Sequence, residues 1–194
     1  MPLCGVILAG GQSSRMGTTK SLLRLNNKTV IEHIAETLCT CTDTCIVVAN
    51  KPWQYTFLGL PIYRDRYVGK GPLAGLETAL FHVEADVFVV AACDMPFIHT
   101  SIYHCLLQQR ADYDAVIPVY NGQIHPLAGI YKKEVLPVIK KMLDADERKV
   151  KSLFDHVHVK YVATFPGIPE EVLYKHFFNM NTPAQYEEAK SFLL

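Results

Sequence analysis

Cationic and small residues crowd into one stretch near the start of the chain: Val6 to Lys20 reads Val-Ile-Leu-Ala-Gly-Gly-Gln-Ser-Ser-Arg-Met-Gly-Thr-Thr-Lys. The apolar run Leu3 to Ala9 passes without a polar spacer into paired glycines, two serines, an arginine and then a lysine. A buried parallel strand feeding a phosphate loop has this pattern. Gly10 and Gly11 let a ligand lie against bare peptide. The loop N–H groups would face an anion, Ser13 and Ser14 add hydroxyl donors, and Arg15 and Lys20 bring two positive charges to one small volume. Such a set suits a nucleoside triphosphate; an ordinary glycine turn carrying surface charges is the alternative.

Two familiar phosphate loops are excluded by spacing. A Walker loop needs glycine directly before Lys-Ser/Thr, and here Thr18 and Thr19 separate Gly17 from Lys20-Ser21. The dinucleotide fingerprint needs glycines spaced one and then three apart, which Gly10, Gly11 and Gly17 do not match.

A second chemical group follows Asp86 to Ala92, a run apolar on both faces as a central parallel strand requires. It ends in Cys93-Asp94-Met95-Pro96. A lone carboxylate at the carboxyl end of a central strand lies where open α/β sheets bind ligands, and its hard oxygens suit Mg2+. Asp94 is therefore the expected metal ligand, with capping of the next helix as the alternative.

The elements that must position these groups read as alternating strands and helices. Thr29 caps a helix through Val30, Ile34, Ala35 and Leu38; Cys45 to Ala49 is a strand; Pro61 to Arg64 is a short strand delivering Asp65 into a loop. Gly69-Lys70-Gly71-Pro72-Leu73-Ala74-Gly75 makes a turn into a helix reaching about Glu84, again an anion-friendly entry. Ile98 to Gln109 is a helix, and Ala115–Tyr120 and Gln123–Tyr131 flank Asn121-Gly122 as a hairpin, so the sheet becomes mixed. His125-Pro126 lies early in the second arm, where the histidine either contacts substrate or packs as a strand residue. Lys132 to Leu143 is a helix and Val157 to Val162 a short edge strand. In the tail, Asn179 and Asn181 stand two apart in an extended segment, so their amides share a side, before Thr182 caps and Pro183 opens a last helix.

Leu8-Ala9-Gly10-Gly11, Ser13, Arg15-Met16-Gly17 and Lys20 resemble the signature of nucleotidyltransferases, in particular the molybdenum cofactor guanylyltransferase (MobA) family. Asp65, Gly71 to Gly75, Cys93 to Pro96, His125-Pro126 and Asn179 to Pro183 continue the likeness in order. The resemblance implies a three-layer α/β/α Rossmann-like nucleotidyltransferase fold with a mostly parallel, partly mixed central sheet. It implies GTP held by Leu8, Ala9, Gly10, Gly11, Lys20, Asp65 and Asp94, with Arg15, Lys20 and Asp94 catalytic and Mg2+ on Asp94. Gly71, Gly75, His125, Asn179 and Asn181 would lie toward molybdopterin. The implied reaction moves GMP from GTP to molybdopterin and releases pyrophosphate; cofactor-handling proteins or molybdoenzymes would be partners. Thr19, where many relatives have an acidic residue, and Val48, where some have asparagine, are departures from the family pattern.

The totals agree with an enzyme of small anions. At 194 residues, 49% hydrophobic and 20% charged, the chain suits one domain spanning 1–194. Lys+Arg 19 against Asp+Glu 19 leaves no net charge, so a nucleic-acid or anionic-membrane surface has no global support. No apolar run nears the roughly 20 residues of a membrane span, and the N-terminus lacks a targeting pattern, so a cytoplasmic protein is expected. Six cysteines, several inside apolar runs, suit free thiols in a reducing compartment, and Cys39, Cys41 and Cys45 fit no usual zinc spacing. Two alternatives stay open: cytidylyl or sugar-phosphate transfer by the same chemistry, and a non-catalytic nucleotide- or cofactor-binding protein.

Overall fold

The computed structural model of the chain describes residues 1–10 and 19–193. Among them eight strands form one sheet, in the order β10-β7-β9-β6-β1-β4-β5 with β8 paired to β7. The strands are β1 (Leu3–Leu8), β4 (Thr44–Val48), β5 (Ile62–Tyr63), β6 (Val87–Ala92), β7 (Ala115–Tyr120), β8 (Gln123–Ile124), β9 (Ile130–Lys132) and β10 (Val159–Val162). A separate two-residue ribbon, β2 (Arg24–Leu25) with β3 (Lys28–Thr29), turns at Asn26-Asn27. The β1·β4, β1·β6, β4·β5 and β7·β10 pairs are parallel, whereas β9 runs antiparallel to both β6 and β7. This is the mostly parallel, partly mixed sheet that the sequence implies.

Helices cover both faces because the strands bury both sets of side chains. On one face α1 (Val30–Cys39), α3 (Thr100–Gln108), α5 (Glu170–Phe177) and α6 (Pro183–Ser191) close over Ile7, Val47, Val89 and Val116. On the other, α2 (Gly71–His82) and α4 (Leu136–Asp144) close over Val6, Leu8, Val48 and Val90. The connection from β1 to β4 runs through α1 and that from β5 to β6 through α2, so the chain reaches β1's two neighbours, β4 and β6, over opposite faces. The carboxyl ends of β1 and β6 flank that reversal, the place where open α/β sheets hold ligands.

Local rules account for the element ends. Thr29 and Glu32 form a complete capping box on α1, and Thr182 and Gln185 form one on α6. Asn121 and Gly122 both take positive φ, 48° and 72°, as a two-residue hairpin turn requires. Three expectations are corrected. The second hairpin arm stops at Ile124, because Pro126 has no N–H for the ladder and starts a 3-10 turn over Pro126–Ala128; His125 caps that turn and is not a strand residue. The helix expected from Lys132 opens as a 3-10 turn, Lys133–Val135, and becomes α-helical only at Leu136–Asp144. Finally, α5 has no counterpart in the sequence reading; it begins after Pro169 without a side-chain cap.

Cys4, Cys39, Cys41, Cys45, Cys93 and Cys105 are all free. Buried Cys45 sits beneath Gly5, where an added Cβ would lie 2.6 Å from its Sγ and 2.9 Å from Leu38 Cγ. Gly5 therefore lets α1 approach β1. Replacing it, Gly5→Ala, is expected to cost about 1–3 kcal/mol by overpacking and to lower Tm by several degrees; an unchanged thermal melt would show that this close approach is not needed.

Candidate active site

The loop support begins with β1, whose last residue is clamped on two sides. Leu8 pairs with Val48 and with Ala92, Cys93 N–H donates to Leu8 O (3.2 Å), and Ala9 N–H donates to Val48 O (2.9 Å). The chain then turns out at Gly10. An open cavity of about 180 Å3 lies there, lined by Leu8 at the end of β1, by Ala9 and Gly10 just after it, and by Lys20, Pro72 and Asp94. Leu127, in the 3-10 turn after His125, and Thr19, Ser21, Ala92 and Cys93 complete the lining.

Lys20 and Asp94 thus share one cavity, and they sense each other electrically. Burial holds the Asp94 carboxyl above the usual carboxylate range, and the Lys20 ammonium pulls it partly back. Neighbouring Cys93 is pushed up to about 12, chiefly by burial and then by the Asp94 charge, so it is a neutral thiol and not a nucleophile at pH 7. Lys20 Nζ donates to Asn181 Oδ1 at 2.6 Å. The same tail touches the acid's backbone, since Met180 N–H donates to Asp94 O at 2.8 Å. Arg15 and Gly11, with Ser13 and Ser14, lie outside the described residues.

Asp65 follows β5 and lies beside Gly10, outside the residues that line the cavity. Asn50 Nδ2 donates to its Oδ2 (2.9 Å), yet burial outweighs that bond and holds Asp65 above its ordinary range. A Cβ on Gly10 would come within 3.9 Å of Asp65 Oδ2, and one on Gly75 within 3.7 Å of Oδ1 and 3.0 Å of Leu8 Cδ2. Gly75 is therefore a packing position that lets α2 sit against β1 and Asp65. Gly71 opens α2 at φ +71°, with open space around it. Arg66, which follows Asp65, ion-pairs with fully buried Glu77 and stacks on Phe81 at 3.3 Å, which fixes the loop carrying Asp65.

His125 and the two asparagines are partly committed to the protein. The His125 ring packs on Phe177 (4.6 Å between centroids), its Nε2 is buried without a partner among the described residues, and burial holds its pKa below normal. It stays neutral at pH 7. Asn179 Nδ2 donates to Phe177 O at 3.1 Å, while Asn181 holds Lys20.

Two supporting residues went unrecognised in the sequence. Tyr55 is buried, and its hydroxyl links Ser21 Oγ (2.8 Å) to Ala9 O (3.4 Å), tying together the chain on either side of residues 11–18. His176 is fully buried and accepts the His99 N–H at Nδ1 (2.8 Å), anchoring the segment after Asp94 to α5; burial drives its pKa to about 3, so it is a neutral acceptor. Neither stands in a motif. Both are lone polar residues in apolar surroundings whose partners are distant in sequence.

An α/β sheet presenting a glycine turn, a lysine and an aspartate at its switch point defines a nucleotide-handling enzyme of the nucleotidyltransferase type. Residues 5–160 match the MobA-like NTP transferase domain, and the chain belongs to that family. It is 42% identical over 183 residues, 94% of this chain and 92% of its relative, to a probable molybdenum cofactor guanylyltransferase of Carboxydothermus hydrogenoformans. It is 34% identical over 192 residues, 96% and 97% of the two chains, to a protein of the same name from a Geobacillus species. Among solved structures, molybdopterin-guanine dinucleotide biosynthesis protein A from Archaeoglobus fulgidus superposes with a TM-score of 0.83 at 26% identity, over 98% of each chain.

The raised pKa of Asp65 has a testable sign. A group whose pKa is higher folded than unfolded adds stability below its unfolded value and loses it as pH rises through the folded value. Asp65→Asn removes that penalty while keeping an oxygen for Asn50. Its Tm is expected to equal or exceed wild type at pH 7, the difference growing from about pH 4 upward; a Tm several degrees below wild type at pH 7 would contradict the assignment.

Proposed function

We propose that this protein transfers GMP from GTP to molybdopterin, giving a molybdopterin guanine dinucleotide and pyrophosphate. The observation that carries the reading is the convergence of Lys20 and Asp94 on one cavity floored by Leu8, Ala9 and Gly10. The names of the relatives supply the donor and the acceptor.

The reaction joins two anions. A terminal phosphate oxygen of the acceptor forms a bond to the α-phosphorus of GTP as the bond to the bridging oxygen breaks and pyrophosphate leaves. The attacker is already ionised, so no strong base is needed; orientation and charge neutralisation carry the rate. Half-buried Lys20 supplies a cation where the five-coordinate phosphorus gathers charge, and Arg15 is assigned to the triphosphate. The bare peptide at Gly10 admits phosphate or base against the end of β1. Asp65, held by Asn50, is assigned to the nucleoside, from which it would accept hydrogen bonds, and Gly71, Gly75, His125, Asn179 and Asn181 are assigned to the acceptor side. Neutral His125 can only give or take a hydrogen bond there.

Asp94 would hold Mg2+. The fit is chemical: a hard carboxylate whose charge is disfavoured by burial gains from a dication. Among the described residues no cluster of three or more His, Cys, Asp or Glu could hold a metal alone. That donor set suits an ion sharing its coordination with substrate phosphates, as Mg2+ does. When bound, Mg2+ neutralises phosphate charge.

Purified protein with GTP, Mg2+ and molybdopterin is expected to release pyrophosphate; no release sinks the proposal. Asp94→Asn and Lys20→Ala should each lower the rate on the order of a hundredfold or more. GTP with Mg2+ at 100 times Kd should add about 2.7 kcal/mol of stability, raising Tm more than CTP at the same concentration; a larger shift with CTP would move the donor to the cytidylyl branch.

A further inference from the structure

We propose that Gln185, on the first turn of α6, is a positioning residue for Lys20 and acts through Asn181; the inference rests on the guanylyl-transfer reading of the cavity. Gln185 Oε1 accepts three donors: Asn181 N–H (2.8 Å), Thr182 N–H (3.0 Å) and Thr182 Oγ1 (3.2 Å). A capping box needs only the bond to the N-cap N–H, here that of Thr182. The bond to Asn181 reaches one residue further out, to the residue whose side chain takes the Lys20 ammonium at 2.6 Å. One residue earlier, Met180 N–H is held by Asp94 O. Three successive backbone N–H groups are therefore fixed, one by the acid's own segment and two by Gln185.

The helix that carries Gln185 is itself pinned to both halves of the site. Tyr186 Oη donates to Arg24 O at 2.7 Å, four residues after Lys20, and Phe192 packs on Phe97, three residues after Asp94, at 5.3 Å between centroids. A lysine has a flexible four-carbon stem, and its charge counts in a transition state only where it is held. The relay from Gln185 through Asn181 supplies that restraint from the far end of the chain.

The test compares full-length variants. Gln185→Leu removes the shared acceptor, Gln185→Glu keeps it, Gln185→Asn shortens its reach, and Thr182→Ala removes the other half of the same capping box, the Gln185 N–H to Thr182 Oγ1 bond of 3.3 Å, together with the Oγ1 donor to Gln185 Oε1, but leaves the bond from Asn181 N–H in place. Two readouts are taken: kcat and KM for GTP in pyrophosphate release, and the rate at which acetic anhydride acetylates Lys20, read by peptide mass spectrometry. Gln185→Leu is expected to lower kcat about tenfold with a smaller change in KM and to change Lys20 acetylation several-fold. Gln185→Glu should restore both to near wild type, with Gln185→Asn between, while Thr182→Ala lowers Tm but leaves both unchanged. Equal losses of kcat in Thr182→Ala and Gln185→Leu would reduce Gln185 to a helix cap and overturn the proposal, as would unchanged Lys20 acetylation in Gln185→Leu. If Gln185→Leu does not fold, the Asn, Glu and Thr182 comparison decides by the same criteria. Absence of pyrophosphate from wild type overturns the reaction reading alone, because the acetylation comparison needs no turnover.

Discussion

The end of β1 is the constraint on which the site depends. Leu8 is held by parallel neighbours on both sides, and Ala9 still donates to Val48 O before the chain leaves the sheet. A strand end fixed from two directions cannot shift in register without breaking its hydrogen bonds to both β4 and β6. The peptide at Gly10 is therefore presented at one place, and β6, in register with β1, brings Asp94 beside it. Helix packing serves the same end: Gly5 admits α1, and Gly75 admits α2.

Around that fixed peptide the fold concentrates charge that it does not itself neutralise well. Asp65 and Asp94 are both held above their ordinary pKa by burial, which makes each carboxylate a cost to folding. Hydrogen bonding from Asn50 and attraction to Lys20 offset part of it. A binding site for phosphates and a cation has this energetic character, because its groups are arranged for a charged ligand and only secondarily for each other. His125 and His176 show the opposite solution, neutral rings whose pKa burial lowers, in His176 to about 3.

What could be read from the sequence was what neighbouring residues decide. Thr29 with Glu32, Asn121 with Gly122, and the apolar runs of β1 and β6 each specify their own geometry within a few positions, so strands, caps and sheet class were legible. Pro126 was also legible in principle, since a residue without an N–H cannot continue a ladder arm, but the hairpin signal of Asn121-Gly122 outweighed it. Tyr55 and His176 were not legible, because a buried hydroxyl or ring acquires its meaning only from partners such as Ala9 and His99, 46 and 77 positions away. The short helix α5 carries no side-chain cap and is held by packing of Phe177 on Tyr120, His125 and Phe165.

The same distinction separates the two roles of the C-terminal segment. Asn179 and Asn181 read in sequence as a matched pair because an extended segment puts alternate residues on one side. In the fold their first partners differ: Asn179 bonds to the backbone of its own segment, and Asn181 bonds to a lysine 161 positions earlier. The entropy cost of closing so long a loop is met by the sheet and helix contacts that bring its two ends together. Lys20 is therefore oriented by the segment ahead of a helix that packs on both Arg24 and Phe97, and the charge that faces the cavity depends on the C-terminal helix as much as on the first strand.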